Sequence, residues 1–129
     1  RSLFSGDKKE EAAEEQLSSR DQTFISRLRD SIRQNMGDSD FTVERLGEEL
    51  GLSRVQLYRK VKALTGQTPV DLLKKARLER ARLLVEKTDK SISEIAYEVG
   101  FTAPSYFNKC FKDEFGVSPG VLRERGSQL

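Results

Sequence analysis

The chain repeats a pattern of apolar, small and turn-forming residues at a spacing of about fifty residues. Residues 42–53 (TVERLGEELGLS) align with residues 91–102 (SISEIAYEVGFT) at an offset of 49. After one extra residue, residues 57–69 (LYRKVKALTGQTP) align with residues 107–119 (FNKCFKDEFGVSP) at an offset of 50. Each copy has the pattern of a helix, a tight glycine-containing turn and a second helix, so we expect a fold with two similar helical pairs.

Each copy also carries the residues that a helix-turn-helix needs at its turn. A small residue in the first helix, Gly47 or Ala96, lets the second helix approach closely. Gly51 and Gly100 can adopt the positive φ that a sharp turn requires. One such pattern alone would also fit an ordinary helical hairpin. Two copies in register, each followed by Gly-x-(Ser/Thr)-Pro, indicate two helix-turn-helix units.

The spacing of apolar residues predicts an all-α fold of about seven helices, without a competing strand signal. Capping boxes at Ser53-x-x-Gln and Ser91-x-x-Glu mark two helix starts. We expect residues 1–20 to be a linker or tail from an upstream domain and residues 21–129 to form the folded domain. Its predicted parts are a helix at about 21–36, a first helix-turn-helix at about 42–65, a long linker helix at about 69–87, a second helix-turn-helix at about 91–115 and a short last helix.

Positive charge is concentrated in one part of a nearly neutral chain. The net charge is +2, but residues 54–82 contain nine basic and two acidic residues, which gives this stretch a charge of +7. A basic block of this kind is typical of a surface that binds nucleic acid or an acidic partner. From charge alone, a solvated helix face is an equally good interpretation.

The composition excludes several classes of function. The 129 residues include no histidine and one cysteine, so an internal disulfide and the usual zinc sites are ruled out. The commonest general base, a nucleotide-binding glycine loop and paired catalytic carboxylates are also missing, so we expect no enzyme activity, no catalytic residue, no cofactor and no metal. Because no run of 18 apolar residues occurs, we expect no membrane span and no membrane contact by this segment. The single cysteine fits a reducing, cytoplasmic setting. A start at Arg1 without methionine indicates a fragment.

Two segments resemble a known family. SRVQLYRKVKALTGQTPVDLLKKARLERARLLVEKT (53–88) and SISEIAYEVGFTAPSYFNKCFKDEFGVSPGVLRER (91–125) resemble the C-terminal DNA-binding domain of AraC-type transcription regulators. The second segment has the family's Gly-Phe, Tyr-Phe and Phe-Lys…Gly-x-Ser-Pro in order, and the resemblance covers residues 21–122. SRVQLYRKVKALTG is further similar to the output domains of hybrid two-component regulators, in which a sensor, a kinase and a receiver share the chain. This resemblance implies a receiver domain upstream of the linker and a histidine kinase elsewhere in the intact chain.

The resemblance implies that the second helix of each helix-turn-helix lies in the major groove and reads base edges. In the first unit the base-reading candidates are Arg54, Val55, Tyr58 and Arg59. Arg59 suits guanine and Val55 suits a thymine methyl group, whereas Tyr58 reads a base edge, holds a phosphate or only covers the domain surface. No acidic residue lies within 53–65, so salt bridges within this helix cannot occupy the two arginines.

In the second unit the base-reading candidates are Ser105, Tyr106, Asn108 and Lys109. Asn108 suits adenine and Lys109 suits guanine, while Tyr106 has the same surface alternative as its counterpart in the first unit. Cys110 lies on the inward side of this helix, and we expect it to be buried. The candidates for phosphate contacts, which position the protein without reading sequence, are Lys60, Lys62 and Lys112.

These observations predict a transcription regulator, more specifically an activator, that binds double-stranded DNA sequence-specifically and is controlled by an upstream receiver or sensor. RNA polymerase is a further partner in keeping with this prediction. The competing interpretation is a protein-interaction module whose helices bind a polymerase subunit or a dimer partner. Steep weakening of binding by salt would favour DNA over an apolar protein interface.

Two further expectations concern the linker helix and the N-terminal segment. A helix over 69–87 is roughly 28 Å long. Reader helices held about 34 Å apart enter successive major grooves, and a shorter separation requires bent DNA. The acidic segment EEAAEEQL (10–17) either contacts the basic surface or extends a dimerising helix from the upstream domain.

Overall fold

Seven helices follow one another in residues 18–127, the part of the chain described by the computed structural model. They are α1 (Ser19–Asn35), α2 (Val43–Leu50), α3 (Arg54–Thr65), α4 (Pro69–Lys87), α5 (Ile92–Glu98), α6 (Pro104–Phe115) and α7 (Pro119–Ser127). Because no strand occurs within this range, the predicted all-α fold is confirmed. Most of the predicted linker, residues 1–17, lies outside the described residues. No described helix combines the length and the apolar character needed to cross a membrane.

The described residues form two units. Unit 1 comprises residues 18–35 and 41–76, and unit 2 comprises residues 36–40 and 77–127. In unit 1, α2 packs against both α1 and α3, and in unit 2, α6 packs against both α5 and α7. The long helix α4 contributes its first two turns to unit 1 and its remaining turns to unit 2.

The core of unit 1 follows the apolar periodicity of its helices. Helices α1, α2 and α3 contribute buried side chains at a spacing of three or four residues, which places them on one face, and α4 adds an adjacent pair. These side chains are Phe24, Ile25, Leu28 and Ile32 from α1, Leu46 and Leu50 from α2, Leu57 and Val61 from α3, and Leu72 and Leu73 from α4. The outer faces of these helices are therefore free to carry polar and charged residues.

The core of unit 2 is built around a row of phenylalanine rings. The ring centroids of Phe101 and Phe107 lie 5.2 Å apart, those of Phe107 and Phe111 lie 5.7 Å apart, and those of Phe111 and Phe115 lie 4.7 Å apart. Tilted and edge-on pairs at these distances add to the stabilisation that burial already provides. Cys110 is buried in the same cluster, as the sequence predicts.

The two helix-turn-helix turns end their first helices in the same way. In unit 1 the N–H groups of Gly51 and Leu52 donate to the carbonyls of Glu48 and Gly47, at 3.1 and 2.9 Å. The corresponding four residues of unit 2 form the same pair of bonds, and both turn glycines have positive φ, 72° at Gly51 and 97° at Gly100. This pair of hydrogen bonds, together with a glycine in the left-handed conformation, is the Schellman motif, which ends the helix and reverses the chain.

Gly100 also meets a packing requirement that the sequence does not reveal. A Cβ at this position would lie 3.0 Å from Nε of Arg77 and 3.1 Å from the carbonyl oxygen of Ser39. Burial lowers the pKa of the Arg77 guanidinium, and the nearby carboxylate of Asp38 opposes that shift. The short segment 36–40 therefore belongs to unit 2, although helices of unit 1 precede and follow it in the sequence.

Candidate nucleic-acid interface

The close approach of the turn to α2 sets the position of α3 in unit 1. Gly47 has no side chain, and a Cβ there would lie only 2.8 Å from the carbonyl oxygen of Leu52. Ser53 then caps α3, because its side chain accepts from the backbone of Gln56 while the side chain of Gln56 accepts from the backbone of Ser53. This capping box is the predicted one, and it starts α3 directly after the turn that links it to α2.

One exposed face of α3 collects most of the residues predicted to bind DNA. We call it the reading face, formed by Arg54, Val55, Tyr58, Arg59 and Lys62. Val55 is 59% exposed and Tyr58 is 49% exposed, which is high for apolar and aromatic residues on a small domain. The opposite face of α3 is buried, so the helix is fixed to unit 1 while the reading face remains open to solvent.

An ion pair between two helices holds Arg54. Its Nη1 atom lies 2.8 Å from Oε1 of Glu44 in the first turn of α2. The sequence correctly excludes an acidic partner within α3, but it does not predict this partner on α2. Both side chains are more than half exposed, so the pair restrains the direction of Arg54 and contributes little to stability.

The two lysines of α3 lie in different surroundings. The ammonium group of Lys62 donates to the carbonyl of Gly66 at 3.1 Å, a contact that also stabilises the C-terminus of α3. The Lys60 ammonium lies 4.6 Å from the ring centroid of Phe24 in α1, which is on the side of α3 away from the reading face. The structure therefore places Lys62 on the reading face and separates Lys60 from it.

A shallow groove of about 380 Å³ adjoins the reading face within unit 1. Its apolar lining comes from α2, α3 and the start of α4, with two guanidinium groups among the lining residues. The lining residues are Val43, Arg54, Val55, Tyr58, Arg59, Pro69 and Val70. Apolar and cationic groups thus stand side by side, a combination that suits base methyl groups next to phosphates or base acceptors.

The matching helix of unit 2, α6, is exposed at all of its predicted base-reading positions. Ser105, Asn108 and Lys109 are exposed, and Tyr106 is 51% exposed. The ring of Tyr106 also rests against that of Phe101, with centroids 5.9 Å apart, so part of the ring packs on unit 2. The predicted phosphate residue Lys112 is exposed on the last turn of the same helix.

The two reader helices differ in charge and in how they begin. Helix α3 carries four basic and no acidic residues, whereas α6 carries two basic and two acidic residues. Pro104 occupies the first turn of α6, and its N-cap residue Ala103 makes no side-chain cap bond. The two units therefore present different surfaces on the same local fold.

The sequence matches a family profile described as "Helix-turn-helix domain" over residues 46–125. Among curated proteins it is 37% identical over 125 residues to "Histidine kinase P4" of Formosa agariphila, covering 97% of this chain and 9% of the relative. It is 38% identical over 90 residues to the "HTH-type transcriptional activator RhaS" of Mannheimia succiniciproducens, covering 70% of this chain and 34% of the relative. The chain thus spans about a tenth to a third of these relatives.

Solved structures of similar fold come from transcription regulators. The C-terminal domain of AraT, a response regulator from Geobacillus stearothermophilus, is 36% identical with a TM-score of 0.71, covering 85% of this chain and 88% of that one. A transcriptional regulator of Chromobacterium violaceum, described as AraC-type DNA-binding domain-containing, is 26% identical with a TM-score of 0.76 over 86% of this chain and 98% of that one.

A structure that contains DNA also matches. The DNA-binding domain of AdpA, solved with a target DNA, is 29% identical with a TM-score of 0.67, covering 77% of this chain and 91% of that one. The profile covers well over half of the chain, and the repeated helix-turn-helix geometry agrees with it. The chain therefore belongs to the AraC-type helix-turn-helix family of DNA-binding transcription regulators.

Proposed function

We propose that this domain reads an asymmetric site on double-stranded DNA, with α3 and α6 each inserted in a major groove. The observation that carries the proposal is the reading face of α3, an exposed surface with three basic residues and no acidic one. Helix-turn-helix domains place such a helix against base edges. Since α3 and α6 carry different exposed residues, the two half-sites should differ in sequence.

Each exposed residue has a role that fits its chemistry. Arg59 can donate two hydrogen bonds to guanine, and Val55 can contact a thymine methyl group. Asn108 can pair with adenine and Lys109 with guanine in the second half-site. We assign the remaining base-reading roles to Arg54, Tyr58, Ser105 and Tyr106, and phosphate contacts to Lys60, Lys62 and Lys112.

The charges of the two reader helices divide their contributions. The four basic residues of α3 supply most of the attraction to phosphates, whereas the charges of α6 cancel. Affinity that depends on phosphate contacts falls steeply with salt concentration. We therefore expect unit 1 to contribute most of the salt-dependent affinity and unit 2 to contribute mainly discrimination between sequences.

The experiment that tests the proposal selects bound duplexes from a randomised pool at two salt concentrations and sequences them. Two enriched motifs about one helical turn apart are expected, because the two reader helices would occupy successive major grooves. Salt-sensitive binding without any enriched motif would contradict sequence-specific reading. Absence of binding at low salt would contradict the whole proposal and favour the protein-interaction module.

Substitution of Arg59 by alanine tests the role of a single residue on the selected site. We expect a loss of about 1–3 kcal/mol in binding free energy and relaxed preference at one base pair. Arg125→Ala is the matched control, because Arg125 is also an exposed arginine but lies on α7 of unit 2. Equal losses in the two variants would mean that Arg59 contributes only charge.

We further propose that the domain is the output module of a two-component regulator, controlled by an upstream receiver domain. The support is the similarity to a response-regulator domain and to a far longer protein named histidine kinase. Similarity to a protein named transcriptional activator supports an activating role. We propose RNA polymerase as the second partner of such an activator and the cytoplasm as its location. A reporter assay with the selected site upstream of a promoter tests activation, and repression of that reporter would contradict it.

A further inference from the structure

A second surface of unit 1 gathers positive charge away from the reading face. It is a cleft of about 550 Å³ between α1, the helix-turn-helix turn and α3. We call it the basic cleft, and it is lined by Ser19, Arg20, Thr23, Phe24, Arg27, Leu50, Leu52 and Lys60. Three of these residues are cationic, and none of the lining residues within the described part of the chain is acidic.

Two of the three cations are held in the cleft by contacts that leave their charge unneutralised. The Lys60 ammonium rests over the ring of Phe24 at 4.6 Å from its centroid. Arg27 donates from Nη2 to the backbone carbonyl of Glu49 at 3.4 Å, which is a weak bond to a neutral group. The carboxylate of Glu49 itself accepts from Ser31 and Asn35 of α1. The positive charges of the basic cleft are thus positioned for an anionic partner.

We propose that the acidic segment of this chain, residues 10–15 (EEAAEE), docks in the basic cleft. This segment carries four glutamates and no basic residue. Its last residue, Glu15, precedes the cleft residue Ser19 by four positions, a span of at most about 14 Å in an extended chain. A ligand tethered so closely has an effective concentration of about the millimolar range, so weak individual ion pairs can still be occupied.

The start of α1 favours docking over extension of the helix. The side chain of Ser18 accepts from the N–H of Asp21 at 3.2 Å, and its carbonyl accepts the first helical bond from Gln22 at 2.9 Å. These two bonds make Ser18 the N-cap, a position at which the backbone leaves the helical conformation. The described helix thus begins beside the basic cleft, because Ser19 and Arg20 of its first turn are among the lining residues.

The docked segment would compete with DNA for Lys60. That consequence rests on the proposed function, since it assigns Lys60 to a phosphate contact, whereas the docking itself does not depend on it. Exposed ion pairs are individually weak and are screened by salt, so a change of about three- to tenfold in DNA affinity is the expected scale. The segment would thus act as an intramolecular mimic of the DNA backbone.

A paramagnetic label on the segment tests the docking without DNA. The complete chain is labelled with a nitroxide at Ala12→Cys in a Cys110→Ala background, and broadening of amide signals is measured by NMR. We expect strong broadening at Thr23, Leu52 and Lys60, and its loss when the four glutamates are changed to glutamine or when salt is raised to about 0.5 M. Absence of broadening, or equal broadening in the glutamine variant, overturns the proposal. If Cys110→Ala does not fold, the label at Ala12→Cys is placed in a Cys110→Ser background instead.

The affinity for duplex DNA is the second measurement, and it uses chains that carry no nitroxide label and keep Cys110. The four-glutamine variant should bind a duplex about three- to tenfold more tightly at low salt. The control neutralises four exposed acidic residues that lie outside the two reader helices, by Asp30→Asn, Glu48→Gln, Asp89→Asn and Glu124→Gln, and so matches the change in net charge. Equal gains in the two variants overturn docking in favour of a general charge effect.

The same assays separate this inference from the proposed function. Loss of DNA binding in Arg20→Gln and Arg27→Gln, without broadening from the label, would make the basic cleft a DNA contact and overturn docking. Broadening in the cleft in a chain that binds no duplex would contradict the proposed function and leave the docking supported.

Discussion

Replacing Gly47 by alanine places a methyl group against the turn of the first helix-turn-helix. The new Cβ would lie 2.8 Å from the carbonyl oxygen of Leu52, a backbone atom that cannot move without shifting the start of α3. Overpacking of this kind costs about 1–3 kcal/mol, whereas alanine instead of glycine inside a helix gains about 0.8–1.0 kcal/mol. We expect the free energy of unfolding to fall by about 1 kcal/mol, because the steric cost exceeds the gain in propensity.

Urea denaturation followed by far-UV circular dichroism measures this change. The slope of the unfolding free energy against urea concentration should stay the same. Gly120→Ala in α7 is the control, because no atom lies within 4 Å of the Cβ that it adds. Ala96→Gly, at the equivalent position of unit 2, should lose about 2 kcal/mol, because helix propensity falls and a buried methyl group is removed. Equal stability of Gly47→Ala and Gly120→Ala would contradict this expectation, since the contact with Leu52 would then carry no cost.

Other substitutions test the core, a cap and the reading face. Phe111→Ala removes a fully buried ring from the core of unit 2 and should cost about 3–5 kcal/mol in denaturant unfolding; a cost below about 1.5 kcal/mol would contradict that packing. Arg123→Met removes a guanidinium that donates to three backbone carbonyls near the end of α4, and it should cost about 1–3 kcal/mol by the same assay, with partial rescue by Arg123→Lys. Glu44→Gln should change stability by less than about 1 kcal/mol, since its partner Arg54 is exposed, yet raise affinity for duplex DNA in a titration. An unchanged affinity would show that the ion pair with Glu44 does not prevent Arg54 from contacting DNA.

The part of the site that follows local rules could be predicted from the sequence. Burial of Leu57 and Val61 fixes which side of α3 turns inward, so the exposure of Arg54, Tyr58 and Arg59 follows from a period of 3.6 residues. The exposure of these residues agrees with the prediction, while their contacts with bases stay a prediction. The surroundings of Lys60 could not be predicted in this way, because its position over the ring of Phe24 depends on how α1 packs beside α3.

The helices of this protein and their repeated arrangement follow from local features of the sequence. Capping boxes at Ser53 and Ser91 and positive-φ glycines at the two turns act within a few residues, so each could be identified without a three-dimensional structure. The fold class followed from these local signals together with apolar periodicity and the fifty-residue repeat.

Contacts between residues that are distant in the sequence follow from the packing of the helices, which local sequence patterns do not reveal. Glu44 pairs with Arg54 across two helices, Arg123 donates to carbonyls more than thirty residues earlier in the chain, and the side chain of Arg77 occupies the space beside Gly100. The physical reason is that periodicity and capping report one helix at a time, whereas such contacts depend on how neighbouring helices pack. The basic cleft is of this kind, since α1, the turn and α3 each bring part of its lining and no single segment contains them all.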